Sequence, residues 1–309
     1  MKLEEVELPK PAAGEVRIRQ YAIGVNFVDV YFRNGFRPTP PLPFTPGAQS
    51  AGEVVKVGRG VKDFGPGDRV ACASGQGAYA EERNVPASSL FKLPRAVSYE
   101  AAAALMLKGL TAQYLLRQTY RVKKGDFILV HAAAGGVGQI LCQWGRALGA
   151  RVIGTVGSPE KAKNAKKAGA HHTILYREED FAKRVEEITK GERCRVVYDG
   201  VGQATFPASL DCLEPFGLFV SFGSASGGIE AFNLGLLAQK GSLFATRPTL
   251  FTFLADRARG KKMARELFRA VGSGAVTVDI GRRYPLAEAA EAHRALEARE
   301  TTGSIILVP

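Results

Sequence analysis

Residues 131–138, His-Ala-Ala-Ala-Gly-Gly-Val-Gly, constrain the fold of this chain more than any other stretch. They follow the apolar run Phe127-Ile128-Leu129-Val130 and precede an apolar-periodic stretch from Ile140 to Leu148. A buried strand, a glycine-rich turn and a helix, in that order, form a dinucleotide-binding unit. Ala133, Gly135 and Gly138 occupy its three small-residue positions. The first two allow a tight turn and close approach of the backbone to a pyrophosphate. The third lets the helix pack tightly on the strand. The helix N-terminus then offers N–H groups and a partial positive charge to phosphates.

A second strand, Arg151 to Val156, completes the unit and bears on cofactor choice. NAD sites carry Asp or Glu at the end of this strand to bond the ribose 2′-OH. Here the strand runs into Gly157-Ser158-Pro159-Glu160-Lys161, with no acid at the first two positions. A carboxylate would repel a 2′-phosphate and a cation would attract it. Lys161 lies near the right place, and the phenol of Tyr176 follows a third strand, 172–176. The reading is NADP(H). Lys161 also reads as a solvated helix lysine beside Lys163, Lys166 and Lys167.

A chain of 309 residues with 46% hydrophobic content can bury a sizeable core in two domains. No apolar run approaches the roughly 20 residues of a membrane span, and the charged start Met1 to Leu8 lacks a signal core. Cys72, Cys142, Cys194 and Cys212 are scattered, and His131, His171, His172 and His293 show no metal-binding spacing. Isolated thiols fit a reducing cytoplasm. The net charge of +12 attracts polyanions, nucleotides among them. The densest cationic stretch, Arg257 to Arg269, has no interleaved aromatic platform for nucleic acid, so a solvated helix is the better reading.

The first hundred residues read as short strands at 16–21, 54–57 and 69–72 joined by Gly/Pro turns, a barrel-like module. Ser98 is placed to cap a helix over the Ala-rich run that follows. Strands are expected at 127–131, 151–156, 172–176, 195–199, 217–222 and 242–246, with helices between most of them, a parallel doubly wound sheet. The tail predicts a long helix over 252–273, a strand at 280–284, a helix at 286–298 and a last strand at 304–308. The fold class is α/β.

The blocks Ala22 to Asp29, Gly65-Pro-Gly-Asp-Arg-Val70, Lys108-Gly-Leu-Thr111, Ala132 to Gly138, Val197-Tyr-Asp-Gly-Val-Gly202 and Gly241 to Pro248 resemble zeta-crystallin-like quinone oxidoreductases, of the medium-chain dehydrogenase/reductase superfamily. The resemblance runs nearly end to end. It implies a GroES-like β-barrel catalytic domain, 1–108 and 250–309, and a Rossmann NADP(H)-binding domain, 109–249. It implies a homodimer that reduces quinones with NADPH in the cytoplasm. Zinc-dependent alcohol dehydrogenases share this fold, but they place a Cys ligand near Asn26 and Gly-His-Glu where this chain has Gly47-Ala48-Gln49. Those ligands are missing, so the expectation is a metal-free site. A quinone accepts hydride without a Lewis acid, because its ring delocalises the charge.

Position by position, the resemblance puts Asn26 and Tyr31 beside nicotinamide and substrate. It puts Thr111 on the cofactor, and Gly135, Gly136 and Val137 on the pyrophosphate. Gly157, Lys161 and Tyr176 match the 2′-phosphate site. Gly223, Ser224, Ser226, Leu250 and Arg299 match later cofactor contacts. Phe36, Phe222, Phe251 and Phe253 read as an aromatic substrate lining or as core. This chain departs from the family at Gly35-Phe36-Arg37-Pro38, where Arg37 replaces a Tyr. Arg37 would supply a cation to a developing oxyanion or an acidic substrate. Relatives also carry about a strand's length before the block matching Leu3-Glu-Glu-Val, which predicts an unpaired strand edge here. Two other activities stay open: double-bond reduction of enals or enoyl thioesters, and a nucleotide- or RNA-binding, crystallin-like role. Arg37 in place of Tyr argues mildly against the first.

Overall fold

Strand β1 (Glu15–Val25) alternates buried and outward residues from Glu15 to Tyr21, as its sequence predicts, and organises the first of two sheets. The computed structural model describes residues 1–309 except Arg37, Thr39, Ser74, Arg299, Glu300 and Thr302. The chain divides into two compact units. One comprises Met1–Leu110, Gly260–Gly272 and Val278–Pro309; the other comprises Thr111–Arg259 and Ser273–Thr277.

After β1 the first unit runs through α1 (Phe27–Arg33), β2 (Gln49–Val57), β3 (Arg69–Cys72), β4 (Glu82–Pro86), β5 (Leu90–Lys92) and most of α2 (Tyr99–Tyr114). The second holds β6 (Phe127–Val130), α3 (Gly136–Ala147), β7 (Arg151–Val156), α4 (Pro159–Lys167), β8 (His172–Leu175), α5 (Phe181–Thr189), β9 (Cys194–Asp199), β10 (Leu213–Ser221), α6 (Gly235–Gln239), β11 (Phe244–Thr246) and α7 (Leu250–Leu254). The chain then adds α8 (Arg257–Gly272), β12 (Ile280–Pro285), α9 (Ala289–Glu297) and β13 (Ser304–Val308), chiefly to the first unit.

The first unit's sheet has the order β12-β13-β1-β2-β3-β5, with β4 also paired to β1. Val16, Ile18, Val54, Val70 and Leu90 form one apolar cluster on it. Ile23, Val25, Ala292, Ile305 and Leu307 form another under α9. The second unit's sheet is parallel in the order β11-β10-β9-β6-β7-β8. Chain order therefore reverses between β6 and β9, the switch point where doubly wound sheets bind ligands at their strand C-termini. Its central strands β6, β7 and β9 are buried on both faces, with Leu129, Ile153 and Val197 in the core.

Several elements differ from the sequence reading. The helix expected over 252–273 is two, α7 and α8, because Asp256 Oδ1 accepts from the Ala258 and Arg259 N–H groups and caps a new start. The strand expected at 217–222 begins at Leu213, with a register irregularity before Leu218. Helix α1 and strands β4 and β5 have no counterpart in the sequence reading. Residues 1–12 form no helix or strand; Arg17 and Asn84 instead donate to the carbonyls of Leu8 and Pro9 at 2.7–3.0 Å. Strand β4 pairs with β1 alone among the described residues.

Candidate active site

In the second unit, the turn between β6 and α3 is drawn tight. The Ala133 N–H donates to Thr155 O on β7 at 3.1 Å, and the Gly135 N–H donates to Ala132 O at 2.9 Å. Ala132 takes φ +52°, a left-handed conformation uncommon outside glycine. A Cβ on Gly138 would collide with Ala132 O and the Ala133 backbone, so only glycine lets α3 approach this closely. Gly135 caps α3 with extended backbone and no side-chain acceptor, and the first turn holds no acid. Gly136 and Val137 are half-buried there. The first-turn N–H groups of a twelve-residue helix therefore stand without an internal anion. That arrangement suits a pyrophosphate.

The end of β7 explains the run Gly157-Ser158-Pro159. Ser158 caps α4 by accepting from Lys161 N at 3.3 Å, and Pro159 fits the first helical turn. A Cβ on Gly157 would stand 2.8 Å from Tyr176 Oη and 3.5 Å from Arg177 Nε. Glycine thus leaves room for the phenol, with a guanidinium beside it. Sequence reasoning named Gly157, Lys161 and Tyr176 but missed Arg177, whose signal was only its adjacency to Tyr176. Tyr176 and Arg177 are brought to Gly157, while Lys161 lies in the first turn of α4 beside Glu160.

Across the switch point, Asp199 ends β9. Its Oδ1 accepts from the Val201 and Gly202 N–H groups at 2.7 and 3.0 Å, and its Oδ2 accepts from Thr205 Oγ1 at 2.6 Å. Gly223 lies so close to Gly200 O that a Cβ would not fit. Ser226 Oγ donates to Val201 O and accepts from Ala204 N, so its hydroxyl is engaged within the protein. Arg247, which the sequence reading passed over, donates to Ser221 O at 2.7 Å and to Ser224 Oγ at 3.1 Å. Leu250 opens α7 and is buried, as is Thr111 on α2. Arg37 and Arg299 lie outside the described residues.

The first unit holds a buried polar cluster around Asn26. The Asn26 N–H donates to Asp29 Oδ2 at 2.9 Å and the Asp29 N–H returns to Asn26 O at 3.0 Å, which starts α1. Asn26 Nδ2 donates to Gln49 Oε1 at 3.0 Å. Tyr31 packs against Phe27 and Phe36 with ring centroids 6.3 and 5.1 Å away. Phe36 is exposed, and half-buried Phe253 stacks on the buried ring of Tyr114 at 4.5 Å, as part of the core of the second unit.

A directed chain reaches Asp29 from the surface. Arg33 can only donate, so His293 Nδ1, at 3.2 Å from it, accepts. His293 Nε2–H then donates to Tyr79 Oη at 2.8 Å, and Tyr79 donates to Asp29 Oδ2 at 3.3 Å. Arg33 also pairs with Glu297 at 2.6 Å. Burial pushes Asp29 up to about 7, against the pull of the Asn26 backbone bond and the Lys108 charge. Burial first, and Arg33 second, push His293 down to about 4. Burial lowers Lys108 to about 8, although Asp29 opposes it. The sequence reading quoted Asp29 and Lys108 only as family blocks and missed Tyr79. No local spacing links position 79 to 293.

Residues 12–95 match the alcohol dehydrogenase GroES-like domain, and residues 136–257 match the zinc-binding dehydrogenase domain. Joined to the two sheets above, these define a medium-chain dehydrogenase/reductase. The chain is 51% identical to a quinone oxidoreductase of Pseudomonas aeruginosa over 310 residues, covering 100% of this chain and 95% of that protein. The crystal structure of Escherichia coli quinone oxidoreductase complexed with NADPH is similar, with a TM-score of 0.97, 50% identity, and 99% and 95% of the two chains covered. The chain belongs to the quinone oxidoreductase family. It is also 46% identical to a Burkholderia 2-haloacrylate reductase, covering 99% of this chain and 94% of that one. Although one matched domain is described as zinc-binding, no group of three His, Cys, Asp or Glu side chains suited to a metal occurs among the described residues.

Two tests follow from this geometry. Gly138→Ala should cost about 1–3 kcal/mol of stability by overpacking and should raise KM for the dinucleotide; an unchanged Tm with unchanged KM would contradict the close approach. The second test uses pH. Native Asp29 holds its proton to about 7 against a model-compound value of 3.8, so its contribution is full below pH 3.8 and is lost as pH rises to 7. Native His293 stays neutral to about 4 against 6.5, so its contribution is full above 6.5 and is lost as pH falls to 4. The two slopes oppose each other. Asp29→Asn should therefore make Tm rise more steeply with pH between 4 and 6.5 than in the parent, and parallel profiles would contradict the assignment.

Proposed function

We propose that this chain reduces quinones with NADPH, without a metal, as a cytoplasmic homodimer. The second unit holds the dinucleotide. The observation that carries the cofactor choice is the end of β7. No acid stands at Gly157 or Ser158, while Lys161 lies in the first turn of α4 and the groups of Tyr176 and Arg177 flank Gly157.

When bound, NADPH supplies a hydride from C4 of its nicotinamide. The protein's part is placement. The α3 N-terminus and the Gly135–Gly136–Val137 backbone hold the pyrophosphate. Lys161 and Tyr176 take the 2′-phosphate by charge and hydrogen bond. Arg247 steadies Ser224, and with it the 223–226 loop; within the first unit, Asn26 and the Tyr31 ring are the residues that would meet a substrate. A quinone so placed needs little polarisation, because its reduced form spreads charge over the ring. Gln49 and Asn26 bond each other where zinc dehydrogenases would hold ligands, which supports the metal-free reading.

Steady-state assays with NADPH and 1,4-quinones test this reading. Likeness to the 2-haloacrylate reductase favours a second one, reduction of an activated carbon–carbon double bond. Turnover of haloacrylates or enals with none of quinones would make the second reading the right one. Lys161→Ala should raise KM for NADPH by about 10–100-fold, the loss of one charge-assisted bond, and leave KM for NADH nearly unchanged. Equal rises would contradict its 2′-phosphate role.

The dimer proposal is supported by strand β11. It pairs only with β10 among the described residues, and Phe244 on it is 59% exposed, with Leu234 nearby in sequence 73% exposed. An apolar, unpaired edge suits pairing with a second copy. Phe244→Lys, which sets like charges against each other across a twofold axis, should shift the dimer to monomer in sedimentation. A parent that is already monomeric would contradict the proposal.

A further inference from the structure

His131 directly follows β6 in the second unit and precedes the left-handed Ala132 of the glycine-rich turn. Its imidazole is buried, with both ring nitrogens in contact with hydroxyls. Nδ1 lies 2.8 Å from Thr155 Oγ1 on β7, and Nε2 lies 2.9 Å from Ser209 Oγ. Phe181 meets the ring edge to face, with centroids 5.1 Å apart, and holds its plane.

The ring proton can be placed from partners whose roles are fixed. Ser209 has one hydroxyl hydrogen, and the Thr205 carbonyl at 2.9 Å can only accept it. Ser209 Oγ therefore accepts from His131 Nε2–H. Burial pushes the imidazole below its ordinary value, against the pull of Asp199, so the ring carries a single proton. Nδ1 then accepts from the Thr155 hydroxyl.

The ring so bridges two sets of loops at the C-terminal end of the parallel sheet. On one side, Thr155 O receives the Ala133 N–H and holds the turn before α3. On the other, Ser209 and Thr205 flank Asp199, whose Oδ1 gathers the Val201 and Gly202 N–H groups. The 201–205 loop in turn holds the next one. Ser226 N–H donates to Val201 O at 2.8 Å, and Gln203 N–H donates to Gly227 O at 3.2 Å. A neutral imidazole presents one donor and one acceptor at fixed places on a rigid ring, which suits it to keep two elements at a set distance.

We infer that His131 is a positioning residue for the dinucleotide, setting the separation of the pyrophosphate turn from the 201–227 loops. This inference rests on the NADPH reading above, in which the cofactor lies across the switch point from α3 to the 223–226 loop. A ligand confined to one side of the bridge does not sense it. Adenosine 2′-phosphate is such a ligand. It carries the groups assigned to Gly157, Lys161 and Tyr176 and lacks the pyrophosphate and nicotinamide.

Equilibrium binding tests the inference without turnover, so a failure of the quinone reading stays separate. Titration calorimetry compares NADP⁺ with adenosine 2′-phosphate on the parent, His131→Phe, His131→Gln and Ser209→Ala. In His131→Phe, which keeps a flat ring and loses both bonds, Kd for NADP⁺ should rise about tenfold, the size of one hydrogen bond. Kd for adenosine 2′-phosphate should stay unchanged. Ser209→Ala should show the same split. His131→Gln, which keeps a donor toward Ser209, should lose less affinity than His131→Phe. Long-range nitrogen–proton NMR spectra of the parent should find the ring hydrogen on Nε2. An unchanged Kd for NADP⁺ in His131→Phe and Ser209→Ala would overturn the inference, as would an equal loss for both ligands, a glutamine variant as weak as the phenylalanine one, or a ring hydrogen on Nδ1. If His131→Phe does not fold, the other two variants decide. A parent that fails to bind NADP⁺ would remove the cofactor reading itself, and the inference with it.

Discussion

The approach of α3 to the turn after β6 is the contact on which the nucleotide site depends. Gly138 sits against Ala132 O and the Ala133 backbone with no room for a Cβ. That proximity aims the first turn of α3 at the C-terminal end of the sheet, at the switch point between the paired strands β6 and β9. The neighbouring pieces are fastened to the same place. Ala133 is bonded to β7 through Thr155, and Asp199 at the end of β9 gathers the backbone of the next loop. One glycine thus links helix packing to anion binding.

The first unit works by a different principle. There the decisive groups are buried and polar, and their roles are fixed by partners that cannot exchange donor for acceptor. Arg33 forces the His293 tautomer, which sets the direction of the Tyr79 hydroxyl toward Asp29. The Ala103 carbonyl forces Gln49, which forces Asn26. Arg33 occupies His293 Nδ1, so the chain runs from the guanidinium through His293 and Tyr79 to Asp29. It steadies the start of α1, which Asp29 caps.

The parallel sheet and its glycine turn were legible because their signals are local. An apolar run, small residues at fixed offsets and a periodic helix lie within about thirty residues of each other, a spacing typical of βαβ units. The ends of β7 and β8 were legible for the same reason, which is why Gly157 and Tyr176 could be named from residues that follow consecutive strands. The Asp29–Tyr79–His293 chain was not, since it joins residues more than two hundred positions apart through packing of α1 and α9. Helix α1 was missed because its seven residues are too few for periodicity to show. The break at Asp256 was missed because the basic run beyond it reads as one continuous helix, while the cap that divides it is a single side chain. Gln49 had been noticed only as the absence of a metal ligand; its orientation needs the carbonyl it touches.

A crystal structure of the NADPH complex would test the central claim most directly, that the α3 terminus and the groups around Gly157 form a single NADPH site. The account predicts pyrophosphate oxygens about 3 Å from the Gly136 and Val137 nitrogens, with the 2′-phosphate against Lys161 and Tyr176. A dinucleotide bound with its pyrophosphate away from α3, or with its 2′-phosphate directed away from Lys161, would contradict it.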